Sequence, residues 1–147
     1  MNHLNKLLAS LMLVLASTSA SAAWEIVTYT TDRDEDNAIV LIDPAQITTE
    51  KNGILKTWVQ HAYARPQHIT PQTGRGKSAD FVESKELALF DCAARKIAIK
   101  EFIAYTEKEK VVHTERHKTT AFYDVEPKST GEEILEFVCE HNKNANK

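Results

Sequence analysis

The sequence predicts an α+β domain, in which an antiparallel β-sheet of about six strands carries one amphipathic C-terminal α-helix and one disulfide. Three observations predict this fold. Short segments that alternate apolar and polar residues, separated by turn-forming residues, run through most of the chain. One segment near the C-terminus repeats its apolar residues at helical spacing instead. Of the two cysteines, Cys92 directly follows a predicted strand and Cys139 lies in the predicted helix.

The first 22 residues have the pattern of a secretory signal peptide. Lys6 precedes an apolar run of about ten residues, roughly half of what a transmembrane helix requires. Ala20 and Ala22 have the A-x-A spacing of a signal peptidase site. We therefore expect cleavage after Ala22, a single domain at residues 23–141 and a disordered polar tail at residues 142–147.

Composition and charge narrow the function classes. The chain has 18 Lys and Arg against 21 Asp and Glu, a net charge of −3, so it lacks the basic surface of a nucleic-acid-binding protein. No later segment is apolar enough to span a membrane, and no cysteine stands at the predicted cleavage point as a lipid anchor. We expect an exported bacterial protein, periplasmic, extracellular or at the cell surface, with no cofactor.

The two cysteines are predicted to form a disulfide. Outside the cytosol a pair of cysteines usually oxidises, and Cys92 with Cys139 is the single intramolecular pairing available. A zinc site would need more ligands at suitable spacing, and a thioredoxin-type pair would have only two residues between its cysteines. The bridge closes a loop of roughly fifty residues, which is worth about 4 kcal/mol of stability.

The N-terminal half of the domain reads as three strands. Residues 23–30 and 38–43 predict a hairpin, and residues 54–64 predict a third strand. Residues 43–53, with a proline and an Asn-Gly pair, predict a loop or a short helical turn. Residues 65–80 hold two prolines, two glycines and few apolar residues, which predicts a long mobile loop.

The C-terminal half predicts three more strands, at residues 81–91, 96–105 and 111–125. In the second of these, period-2 spacing predicts one buried face that carries Ile97, Ile99, Ile103 and Tyr105, with Glu101 among them.

The final segment predicts the helix. Thr130 and Glu133 have the spacing of a capping box. The apolar stripe that would pack on the sheet consists of Ile134, Leu135, Val138 and Cys139.

Two motifs resemble metal sites without meeting their requirements. Asp32, Asp34 and Asp36 fit the first, third and fifth positions of a calcium loop, but Asn37 replaces the glycine and strands flank the segment. His113 and His117 would lie about 13 Å apart in a strand, too far for one metal ion. We interpret the first motif as an acidic hairpin loop and predict no metal site. No nucleophile motif is present, and the sequence predicts no catalytic residues.

A basic group of residues stands out in the predicted long loop. Arg65, His68, Arg75 and Lys77 are candidates for binding an acidic or sulfated partner. The alternative is a solvated loop without a partner.

Several segments together resemble the surface-adhesin protein E family. In the C-terminal half these are FDC at 90–92, Tyr105 followed by KVV at 110–112, and DVEPKSTGEEIL at 124–135, with the closing cysteine. In the N-terminal half they are Trp24, VLIDPAQI at 40–47 and LKTWV at 55–59. The resemblance covers nearly the whole mature chain.

The resemblance implies an antiparallel sheet with a C-terminal helix and a non-enzymatic binding role. It implies host matrix and serum proteins, such as laminin, vitronectin and plasminogen, as partners. The best-known member is a surface lipoprotein, whereas this chain has no lipidation cysteine at the predicted cleavage point. The sequence therefore predicts an adhesin-like binding module, with two alternatives: a soluble periplasmic accessory protein that binds another envelope component, or a binder of calcium or a small ligand.

Overall fold

An antiparallel sheet forms the body of the molecule in the computed structural model, which describes residues 23–30, 37–70 and 77–145. The strands are β1 (Glu25–Thr30), β2 (Ala38–Ile42), β3 (Thr48–Thr49), β4 (Leu55–Ile69), β5 (Ala79–Asp91), β6 (Lys96–Tyr105), β7 (Val111–Arg116) and β8 (Tyr123–Asp124). Six of them pair in the order β1-β2-β4-β5-β6-β7, while β3 pairs with β4 and β8 with β6. All pairings are antiparallel, which confirms the predicted sheet.

The connection from β2 to β4 contains two short 3-10 turns, at Pro44–Gln46 and Lys51–Gly53. The buried carboxylate of Asp43 organises the first turn, because it accepts hydrogen bonds from the Ala45 N–H at 3.1 Å and the Gln46 side chain at 2.8 Å. In the second turn Asn52 and Gly53 both have positive φ, at 65° and 77°. This backbone conformation explains why an Asn-Gly pair stands there.

One helix, α1 (Thr130–Ala145), packs on one side of the sheet. Its amino end is capped by Ser129, whose hydroxyl accepts a hydrogen bond from the Glu132 N–H at 3.2 Å. The Glu132 carboxylate accepts in return from the Lys128 N–H at 2.7 Å. The predicted capping box is therefore wrong by one residue, because the sequence STGEE offers the same spacing twice. Glu133 instead accepts a hydrogen bond from the Thr28 hydroxyl on β1.

The helix also continues farther than the sequence predicts. The polar residues from 142 onward were expected to form a disordered tail, yet they are helical as far as Ala145. A helix needs apolar residues only on the face that packs, so a polar last turn continues the backbone hydrogen bonds without contributing to the core.

The core lies between α1 and the side of the sheet that we call the helix face; the other side is the open face. It confirms the predicted apolar stripe of the helix. The buried residues are Val40, Ile42, Leu55, Val59, Ala88, Phe90 and Ile97 from the strands, with Ile134, Leu135, Val138 and Cys139 from α1.

The predicted disulfide joins Cys92, in the turn after β5, to Cys139 on α1. The two Cα atoms are 5.8 Å apart across a sequence separation of 47 residues. Arg95 in the same turn reinforces the attachment through ion pairs with Glu132 and Glu136 of the helix. The helix is therefore tied to the sheet both covalently and by charge.

A β-bulge corrects the predicted face of β6. Leu87 on β5 pairs with Glu101, and the next residue, Ala88, pairs with Ile99, so Lys100 is an extra residue. Such an insertion reverses the alternation of side chains beyond it. Ile97 and Ile99 consequently lie on the helix face, whereas Glu101 and the rest of the predicted set, Ile103 and Tyr105, lie on the open face.

The predicted long loop at residues 65–80 is strand at both of its ends, at residues 65–69 and 79–80, and residues 71–76 lie outside the described residues. After a register shift between Ala62 and Gln67, β4 resumes pairing with β5 as far as Ile69 opposite Ala79. This register shift interrupts the period-2 pattern of β4, so the sequence pattern does not predict the second part of the strand. Conversely, the strand predicted at residues 111–125 is two strands, β7 and β8, separated by residues 117–122.

Several sequence predictions lie outside the described residues: the signal peptide at residues 1–22, Asp32, Asp34 and Asp36 of the acidic loop, and Arg75. The end of the predicted polar tail, residues 146–147, also lies outside them.

Removing the disulfide should destabilise the protein. The Cys92→Ser, Cys139→Ser double variant should lose about 4 kcal/mol of unfolding free energy, because the unfolded chain regains the entropy of a loop of 47 residues. Urea denaturation followed by circular dichroism measures the loss. The oxidised wild type and its dithiothreitol-reduced form are the controls, and a reduced form as stable as the oxidised one would contradict the structural role.

The helix cap gives a second prediction. Ser129→Ala should cost about 1 kcal/mol of unfolding free energy, because the Glu132 N–H loses the Ser129 hydroxyl as an acceptor and keeps only the Ser129 carbonyl. Thr130→Ala, at the position that the sequence pattern alone suggests, is the matched control and should cost less than half as much. Urea denaturation of both variants decides between the two caps, and a larger loss for Thr130→Ala would contradict Ser129 as the cap.

Candidate functional site

The open face of the sheet carries a row of side chains that crosses all six main strands. Its members are Tyr29, Ile39, Ala62, Glu83, Tyr105 and Val111. Tyr29 is 59% exposed, Val111 50% and Ile39 38%. Ile26, which is 51% exposed, lies in the adjacent row opposite Leu41. Large apolar side chains that remain exposed together on one face indicate an interaction surface.

Aromatic residues and Lys85 form the centre of the open face. The Lys85 Nζ lies 5.7 Å from the ring centroid of Trp24 and 5.2 Å from that of Tyr105. Trp58 lies on the same face, opposite Leu87. Both tryptophans of the chain therefore belong to this surface. Tryptophan and tyrosine are the residues that most often anchor protein–protein contacts.

Charged side chains on the open face are paired with one another. Lys85 lies 3.5 Å from the Glu83 carboxylate, and the Arg116 Nε donates to Glu101 at 3.0 Å. The charges therefore balance across the surface. The open face differs from the rest of the molecule in its exposed apolar and aromatic side chains and not in its net charge.

The predicted partner-binding residues lie at the far end of the β4–β5 hairpin. Arg65 and His68 belong to β4, Lys77 precedes β5, and all three are exposed. His68 contacts the Asp80 carboxylate, with Nδ1 and Oδ1 2.7 Å apart. Arg75 lies outside the described residues. A basic binding site made of Arg65, His68, Arg75 and Lys77 stays a prediction.

His113 and His117 lie on either side of Glu115, at the edge of the sheet. The Nε2 atoms of His113 and His117 are 3.9 Å and 3.7 Å from the Glu115 carboxylate oxygens. Within residues 23–30, 37–70 and 77–145, no group of three His, Cys, Asp or Glu side chains is arranged to hold a metal ion.

A cavity of about 290 Å³ lies on the helix face, between the sheet and the first turn of α1. Its polar lining consists mainly of His61 from β4, Glu86 from β5 and Tyr123 from β8. Burial lowers the pKa of His61 from 6.5 to about 4 and raises the pKa of Glu86. The pKa of Tyr123 is raised by burial and by the nearby Glu86 charge. Sequence analysis missed this group, because its members are far apart in the chain and only the strand register brings them together.

His61 should make the protein sensitive to acid. Between pH 6.5 and about 4 the unfolded chain binds a proton at His61 that the folded chain does not, so stability is complete above this window and falls as pH decreases through it. His61→Gln should remove up to about 3 kcal/mol of this loss. The opposing effect of Glu86 is present in both proteins and cancels in the comparison.

Urea denaturation of wild type and His61→Gln at pH 7, 5.5 and 4.5 measures the difference. The two unfolding free energies should converge, or cross in favour of the variant, as the pH falls. Curves that stay parallel from pH 7 to 4.5 would contradict a buried neutral His61.

The chain was compared with models of protein families. The model of the surface-adhesin protein E family matches residues 24–140, from Trp24 of the open face to the residue after the second cysteine. No curated protein matches the chain. Among the described residues, no helix is both long and apolar enough to cross a membrane.

Proposed function

This chain belongs to the surface-adhesin protein E family, and on that premise we propose that it is an exported, non-enzymatic module that attaches to host extracellular matrix or serum proteins through the open face of its sheet. The observation that carries the proposal is the row from Tyr29 to Val111, where exposed apolar side chains from strands at both edges of the sheet share one surface.

The composition of the open face supports a protein partner. Protein interfaces combine a dry centre rich in aromatic residues with a polar rim. Here Trp24 and Tyr105 lie next to Lys85 at the centre, and Trp58 lies on the same face. Arg116 with Glu101 lies toward the β7 edge. Because the charges are paired, binding through this surface should depend little on salt, unlike binding through the basic hairpin.

Export is part of the proposal. Residues 1–22 act as the signal peptide, the domain begins at residue 23, and the mature protein reaches the cell surface or the exterior. Family membership supports this location, because a surface adhesin must leave the cytoplasm. Protease treatment of intact cells tests it: cleavage supports surface display, whereas protection until the outer membrane is opened favours a periplasmic accessory protein.

The binding surface is tested by comparing three variants on immobilised laminin and vitronectin. Tyr29→Ser with Ile39→Ser should weaken binding at least tenfold, because both side chains are exposed on the open face. Phe122→Ser, which replaces an apolar residue 37% exposed between β7 and β8, is the matched control and should bind like wild type. Surface plasmon resonance at 50 and 300 mM NaCl measures the affinities.

The third variant separates the open face from the basic hairpin. Arg65→Ala with Lys77→Ala should leave the affinity nearly unchanged at both salt concentrations. If this variant no longer binds, and if the wild type binds much more weakly at 300 mM than at 50 mM NaCl, the binding site lies on the basic hairpin and not on the open face. If the wild-type protein binds neither laminin nor vitronectin at micromolar concentration, the proposal of host attachment is wrong. The open face would then be expected to mediate self-association, which sedimentation experiments measure.

A further inference from the structure

Three polar side chains line the helix-face cavity without hydrogen-bond partners in the part of the chain that the structure describes. The Nδ1 atom of His61 is completely buried and has no partner. The Glu86 carboxylate and the Tyr123 hydroxyl likewise form no hydrogen bond or ion pair with a described residue. The three come from β4, β5 and β8, so the fold itself assembles them.

The buried His61 Nδ1 is unfavourable unless a molecule in the cavity forms a hydrogen bond with it. A buried polar group without a partner costs roughly 1–3 kcal/mol, and native structures contain few of them. The His61 Nδ1 is a group of this kind, whereas Tyr123 is 51% exposed and Glu86 is half-buried. A molecule bound in the cavity would supply the hydrogen bond that the His61 Nδ1 lacks, and it would also reach the Glu86 carboxylate and the Tyr123 hydroxyl. The cavity volume, about 290 Å³, lies at the small end of the range for small-molecule sites.

The lining defines the chemistry of that molecule. All three polar groups can accept hydrogen bonds, and no lysine or arginine lines the cavity among the described residues. Glu86 therefore provides a negative charge that no neighbouring cation balances. Apart from Thr30, Thr130 and Gly131, the other lining residues are apolar and include Val59, Phe90 and Ile97. A ligand that fits donates hydrogen bonds, carries positive charge at one end and has a short hydrocarbon body.

We propose that this cavity binds a small organic ammonium compound, whose N–H groups donate to the Glu86 carboxylate, the His61 Nδ1 and the Tyr123 hydroxyl while its alkyl part packs against Val59 and Phe90. The site is on the opposite side of the sheet from the open face, so the two activities are independent of each other.

Two other ligand classes fit the cavity less well. A metal ion would find only His61 and Glu86 as strong ligands there. An organic anion would be repelled by Glu86. The amino end of α1 does not reverse this preference, because Glu132 and Glu133 already place two carboxylates in its first turn.

The experiment compares three ligands with the same alkyl chain: butylamine, butanol and butyrate. Isothermal titration calorimetry of the full mature chain at pH 7.5 measures binding, and the NMR shifts of the His61 ring report whether it occurs in the cavity. Butylamine should bind, raise the melting temperature by several degrees and shift the His61 resonances. Butanol and butyrate should bind at least tenfold more weakly.

Two variants locate the charge that recognises the amine. Glu86→Gln keeps the size of the side chain and should weaken butylamine binding at least tenfold. Glu83→Gln, on the same strand but on the open face, is the matched control and should bind like wild type. Circular dichroism and the melting temperature without ligand verify that both variants fold.

Clear outcomes overturn the proposal. Butyrate or butanol binding as tightly as butylamine would show that charge is not recognised. Butylamine binding that survives in folded Glu86→Gln, or that leaves the His61 resonances unmoved, would show that the cavity is not the site. Absence of any butylamine binding up to 10 mM would exclude the ligand class.

Discussion

The attachment of a single helix to one face of the sheet is the constraint on which the rest of the structure depends. The Cys92–Cys139 bridge and the ion pairs of Arg95 hold α1 against the helix face, and the core forms there. A sheet with only one helix cannot cover both of its faces. Its second face must therefore meet solvent or another molecule, and in this protein it carries both tryptophans and a row of exposed apolar side chains.

Interruptions in strand pairing decide which residues lie on which face, and two of the four register shifts among the described strands illustrate this. The extra residue Lys100 moves Ile103 and Tyr105 from the helix face to the open face, and Tyr105 then contacts Lys85 there. The register shift between Ala62 and Gln67 separates the central part of β4 from its distal end, where His68 contacts Asp80. Tyr105, one of the central aromatic residues of the open face, therefore lies there because of the β-bulge at Lys100.

These interruptions also mark the limit of what the sequence could predict. The hairpin of β1 and β2, the apolar stripe of α1 and the disulfide all follow from local spacing or from cysteine count, and each is confirmed. The bulges cannot be predicted in this way. One inserted residue only shifts the alternation of apolar and polar residues by one position and leaves no other signal in the sequence. Nor does the sequence say which of two apolar strand faces the helix covers. The sequence therefore points to the basic residues Arg65, His68, Arg75 and Lys77. The open face and the cavity lined by His61, Glu86 and Tyr123 become visible only from the pairing of the strands.

The helix α1 is fastened to two separate parts of the sheet, and this arrangement affects how the open face meets a partner. The disulfide holds Cys139 beside the turn that follows the central strand β5, while Glu133 contacts Thr28 on β1, at one edge of the sheet. The helix therefore links an edge strand to the centre of the sheet. A partner docking on the other side meets a surface whose curvature is already set, so little conformational entropy is lost on association. Differences in affinity among partners should then arise chiefly in how fast they dissociate.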